Sequence, residues 1–94
     1  MARSVITGNT AGNGGIANLA GATITVDETT FDTNTATSVG GGALINFGTA
    51  TLTNSTLSNN AAPINGAAIN TQPAGVTTVI NCTFVGNVSA SIGG

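Results

Sequence analysis

Four asparagines stand at positions 9, 34, 60 and 87, so the steps between them are 25, 26 and 27 residues. Three residues before each comes a large apolar side chain: Ile6, Phe31, Leu57 and Phe84. Five residues before three of those come Val26, Leu52 and Val79, and immediately before them stand Thr30, Thr56 and Thr83. Self-similarity at a fixed period of this size marks stacked repeats, in which each unit buries its apolar face only against its neighbours. A compact fold without repeats has no reason to hold such a register.

A second pattern, small-small-apolar-Asn, recurs as Gly15-Ile16-Ala17-Asn18, Ala43-Leu44-Ile45-Asn46 and Ala67-Ala68-Ile69-Asn70. It sets out a second column, Asn18, Asn46 and Asn70. Length variation is confined to the segments between patterns, at Thr37 to Gly40 and Thr71 to Gly75. Corners of a stacked repeat tolerate insertions; its core register does not.

The local period decides which repeat this is. Helical repeats need apolar spacing near 3.6 over ten or more residues. Here Thr23-Ile24-Thr25-Val26 and Thr51-Leu52-Thr53 alternate with period 2. Short alternating strands, β-favouring side chains and Gly or Asn at the corners give an all-β parallel β-helix, or β-solenoid, of about three coils of about 26 residues. The units run as a partial coil over 1–13, coils over about 14–39, 40–65 and 66–92, and the start of a further coil at 93–94. Like residues then stack on like. Val26, Leu52 and Val79 form one apolar ladder, and Ile6, Phe31, Leu57 and Phe84 another. Asn9, Asn34, Asn60 and Asn87 form an amide ladder at an inner corner, where identical stacked amides satisfy one another.

The motif pair resembles the repeats of polymorphic outer-membrane proteins and related autotransporter passengers. Gly41-Gly42-Ala43-Leu44 fits the G-G-A-(I/L/V) motif, and Gly66-Ala67-Ala68-Ile69 fits it loosely. Phe31 to Asn34 and Phe84 to Asn87 fit F-x-x-N, while Leu57 to Asn60 and Ile6 to Asn9 fit with an aliphatic in place of Phe. The resemblance covers nearly the whole chain. It implies a right-handed coil, display at the cell surface or secretion, and an adhesive or structural role more often than catalysis.

Composition excludes several function classes. The chain has one basic residue, Arg3, and a formal charge of −2; nucleic-acid binding needs a basic footprint. No apolar run approaches the roughly 20 residues of a spanning helix, so this chain is not expected to insert in a membrane. Met1 to Asn9 lacks the apolar stretch of a signal peptide. There is no His, Lys or Tyr, and Cys82 has no second Cys to pair with. The carboxylates are Asp27, Glu28 and Asp32, all in one unit. Their equivalents are Thr53, Asn54 and Ser58 in the next unit and Ile80, Asn81 and Val85 in the third, so no acidic column crosses the coils. No catalytic, cofactor-binding or metal-binding residues are therefore expected. Asp27 and Glu28 read as a solvated corner, although a calcium ion held by the three acids stays open. The sequons at Asn54, Asn81 and Asn87 fall where the repeat itself uses Asn and Thr. Cys82 shares its column with the small residues Thr29 and Ser55.

Two outward threonine columns, Thr25–Thr51–Thr78 and Thr23–Thr49, form a flat hydroxyl face, which Val76 interrupts in the third unit. The first and last units look incomplete, with strand edges open at both ends. Ile92-Gly93-Gly94 reads as the opening of a fourth unit. The residues after Asn87 and those up to Asn9 together make 16, short of a full coil. The expected function is a structural, non-catalytic subunit of an extracellular or cell-surface fibre, its partner a second copy of itself. The alternatives are a fragment of a surface adhesin or autotransporter passenger, and an ice-binding or glycan-binding solenoid.

Overall fold

In the computed structural model, which describes residues 1–38 and 40–90, the chain is a β-solenoid of about three turns with no helix among those residues. A partial turn supplies β1 (Val5–Thr7) and β2 (Thr10–Ala11). The first full turn holds β3 (Ile16–Asn18), β4 (Thr23–Asp27), β5 (Thr30–Asp32) and β6 (Thr35–Ala36). The second holds β7 (Leu44–Asn46), β8 (Thr49–Thr53), β9 (Thr56–Ser58) and β10 (Ala61–Ala62). The third holds β11 (Ile69–Thr71), β12 (Val76–Ile80), β13 (Thr83–Val85) and β14 (Val88–Ser89). Val39 and the Ile92-Gly93-Gly94 segment lie outside the described residues.

Equivalent strands of successive turns pair in parallel and build four sheets, ordered β1-β5-β9-β13, β2-β6-β10-β14, β3-β7-β11 and β4-β8-β12. The register is the one the apolar spacing requires. Ile6, Phe31, Leu57 and Phe84 lie opposite one another in sequence, as do Val26, Leu52 and Val79. A one-residue slip would turn each of these side chains outward.

The second turn forms the centre of the core. Leu44, Leu52 and Leu57 are fully buried, with Val26 and Phe31 beneath them. Val79 and Phe84 continue the same columns in the outermost described turn and are 41% and 44% exposed. Ala36, Ala62 and Ala67 form a second, smaller buried cluster.

Two of the corners that turn through left-handed backbone do so in all four units. One column is Arg3, Glu28, Asn54 and Asn81, with φ of 47°, 50°, 52° and 52°. The other is Gly8, Thr33, Asn59 and Gly86, with φ of 69°, 58°, 54° and 65°. Gly and Asn enter this region at little cost, whereas a β-branched residue such as Thr33 is strained there. In the Gly-Gly-Ala motif, Gly41 has φ of 74°, and a Cβ there would meet Leu44 O at 2.5 Å. The first glycine of that motif therefore serves a turn and a close backbone approach.

Candidate functional site

The chemistry of this chain is concentrated in its interior ladders and at its corners. In the first ladder the Asn9 Nδ2 donates to Asn34 Oδ1 (3.0 Å), Asn34 Nδ2 to Asn60 Oδ1 (3.0 Å) and Asn60 Nδ2 to Asn87 Oδ1 (2.9 Å). The backbone N–H of Asn9, Asn34 and Asn60 donates to the same three acceptors. An Nδ2 bond also ties each upper amide to the turn below: Asn34 to Ile6 O, Asn60 to Phe31 O and Asn87 to Leu57 O. Asn34 and Asn60 are fully buried. The ladder read from the sequence is thus present, and it has a direction: each turn donates to the turn that follows it in the chain.

The second ladder is only two residues tall. Asn18 Nδ2 donates to Asn46 Oδ1 at 2.9 Å, but Asn70 pairs with Ile45, and Thr71 stands opposite Asn46. Asn70 is therefore out of the column by one residue, which corrects the expectation drawn from small-small-apolar-Asn. The Gly-Gly-Ala alignment, which puts Ile69 over Leu44, is the one the backbone follows. The reason is burial: keeping Ile69 in the Ile16–Leu44 apolar column outweighs keeping an amide in line. Thr77 takes over the polar role. It occupies the inward position held by Ala50 below, and its Oγ1 accepts from Asn46 Nδ2 at 2.9 Å. Asn70 Nδ2 is left buried without a hydrogen-bond partner among the described residues.

A third column staples one corner. Ser4 Oγ donates to Ala2 O, Thr29 Oγ1 to Asp27 O, Ser55 Oγ to Thr53 O and Cys82 Sγ to Ile80 O. Each is a local bond from a small side chain to the carbonyl two residues back. Cys82 has therefore the same place as Thr29 and Ser55, as its spacing indicated, with a thiol as the weaker donor.

The acids are bonded to the second turn. Asp27 Oδ1 accepts from Thr53 Oγ1 (2.6 Å) and Asn54 Nδ2 (3.2 Å). Asp32 Oδ1 accepts from Ser58 Oγ (2.7 Å) and Asn59 Nδ2 (3.2 Å), and its Oδ2 from Thr33 Oγ1 (3.0 Å). These bonds favour the ionised carboxylates. Both are held below the ordinary Asp range, Asp27 chiefly by Thr53 and then Asn54, Asp32 chiefly by Ser58 and then Asn59. Glu28 occupies a left-handed corner. Among the described residues the acids do not converge into a group that could hold a metal ion, and no pocket opens.

The outward residues of β4, β8 and β12 are Thr23, Thr25 and Asp27; Thr49, Thr51 and Thr53; and Val76, Thr78 and Ile80. The hydroxyl face is therefore present over two turns and broken in the third by Val76 and Ile80. The acid-to-amide bonds, the left-handed backbone at the corners and the Thr77 replacement were not anticipated from sequence. The signal that could have found the corners is the Asn or Gly standing just after a strand, at Gly8, Asn54, Asn59, Asn81 and Gly86. Compared with known proteins, the chain matches no family model, no curated protein sequence and no solved structure.

Proposed function

We propose that this chain is a structural, non-catalytic β-solenoid subunit that associates end to end with copies of itself in an extracellular or cell-surface fibre. One observation carries the reading. β1 and β13 are the two outer strands of a single sheet, and they bear the first and last members of the same apolar column, Ile6 and Phe84. Parallel strand edges with free backbone groups are templates for further pairing, and a contact that repeats head to tail without closing makes a filament. The location rests on the resemblance of Gly41 to Leu44, Phe31 to Asn34 and Phe84 to Asn87 to surface-displayed repeats. Electron microscopy of the purified chain across a dilution series tests the proposal. Regular unbranched filaments that persist on dilution are expected; dispersed particles at every concentration would overturn it.

The threonine face favours a second reading, a binding surface for a regular hydroxyl-bearing or water lattice such as a surface glycan or ice. Thr23, Thr25, Thr49 and Thr51 present their side chains at the strand spacing of about 4.8 Å. Glycan binding or inhibition of ice growth by the chain, abolished by Thr51→Lys, is the outcome this reading requires.

A further inference from the structure

We infer that the end-to-end contact is polar: the face bearing Asn87 and Phe84 takes the face bearing Asn9 and Ile6 of a second copy, and like faces do not join. This rests on the self-association proposed above and adds its direction. The observation is the one-way amide ladder. Each rung has Nδ2 and backbone N–H donating to the Oδ1 of the following turn. At one end, Asn87 has its Oδ1 occupied by both Asn60 donors, and its Nδ2 bonds Leu57 O at 2.9 Å. That is the one Nδ2 bond Asn87 makes among the described residues, so its second amide hydrogen has no acceptor there. At the other end, Asn9 donates to Asn34, and its Oδ1 receives no donor among the described residues.

The two ends are therefore complementary to each other and not to themselves. Joining Asn87 to the Asn9 of a second copy reproduces the rung already made three times inside the molecule. Joining two Asn9 faces opposes two carbonyl oxygens, and joining two Asn87 faces opposes two sets of N–H groups. Neither leaves an acceptor for each donor, and buried polar groups without partners are costly. The apolar columns agree. Phe84, 44% exposed, would be covered by Ile6 of the next copy, as Leu57 is covered within the chain. Parallel pairing needs the incoming strand to run in the same direction as β13, and β1 does so in a head-to-tail stack because both belong to one parallel sheet. β1 and β2 lie in two of the four sheets, so the joint forms over β13 and β14.

Disulfide trapping tests the direction. Thr7, Asp32, Ser58 and Val85 form one outward column, with Thr7 and Val85 at its two exposed ends. In a head-to-tail stack, Thr7 of one copy lies one strand spacing from Val85 of another, about 4.8 Å. That falls within the Cα separation a disulfide spans, about 4.4–6.8 Å. Thr7→Cys and Val85→Cys would each be made in a Cys82→Ser background and oxidised under assembly conditions. Each variant alone is expected to stay uncrosslinked, an equimolar mixture to give one disulfide-linked heterodimer, and the double variant to give a ladder of multimers. Homodimers from either single variant would overturn the polarity. So would filaments in which no combination crosslinks. Absence of assembly by the unsubstituted chain would instead remove the self-association reading beneath it. Both substituted positions face solvent, so circular dichroism of each variant is expected to match the parent.

Discussion

Asn60 uses every hydrogen-bonding position of its side chain. Its Oδ1 accepts twice from Asn34, and its Nδ2 donates to Phe31 O and Asn87 Oδ1. Replacing the amide nitrogen by an oxygen, Asn60→Asp, removes both donors and sets a fully buried carboxylate against two acceptors. A cost of about 3–5 kcal/mol at neutral pH is expected from an uncompensated buried charge. Desolvation and the facing oxygens raise this carboxyl above the ordinary value of about 3.9. The protonated acid donates again, so the gap to the parent should narrow as pH falls; urea denaturation at pH 7 and pH 4 checks this. Thr33 presents the opposite case, a side chain that opposes its own backbone. At φ 58° it occupies a corner where the next turn has Asn59. Thr33→Asn should stabilise the chain by about 1 kcal/mol, less whatever the exposed bond to Asp32 Oδ2 contributes. A thermal melt that moves down would show that the hydroxyl bond outweighs the strain. The first amide ladder was legible because Asn and its apolar partner hold a fixed spacing in all four units. The second misled at Asn70, since a local four-residue pattern carries no information about which apolar residue the turn below will bury.

At the scale of the strand, position in the stack decides what a core residue contributes. Leu52 on β8 and Val79 on β12 are neighbours in one column. Leu52 is sandwiched between Val26 and Val79 and fully buried, whereas Val79 is 41% exposed. Leu52→Ala should cost about 3 kcal/mol, in the usual range for a buried leucine. Val79→Ala should cost about 1 kcal/mol or less, because much of its surface already meets water. Both are read from urea denaturation of dilute chain, and equal losses would contradict the order of turns. The alternation in Thr23 to Val26 and Thr51 to Thr53 makes these strands readable from the sequence. The corner residues were not, because a left-handed φ at Arg3, Glu28 or Thr33 is imposed by the turn and not preferred by the side chain.

For the molecule as a whole, the carboxylates make the contacts between turns unequal. Asp27 and Asp32 tie the first full turn to the second through Thr53, Asn54, Ser58 and Asn59. One turn further on, the equivalents of Thr53 and Ser58 are Ile80 and Val85, whose side chains can neither accept nor donate. In a stack where each turn contacts only its neighbours, stability is a sum of such junctions. Acid should therefore weaken the junction between the first and second turns and leave the one above it. Both Asp pKa values are lowered in the folded chain. Their contribution is accordingly full above the unfolded value of about 3.9 and is lost as pH falls through the lower folded values. Denaturation midpoints should be level from pH 7 to about pH 5 and decline below pH 4. In Asp27→Asn combined with Asp32→Asn, the amides no longer titrate, and the decline should flatten. Hydrogen exchange at low pH should show β4 and β5 losing protection before β12 and β13, although the latter pair is the more exposed. Loss that begins at β12 and β13 would mean that burial, and not the carboxylate bonds, sets which junction opens first.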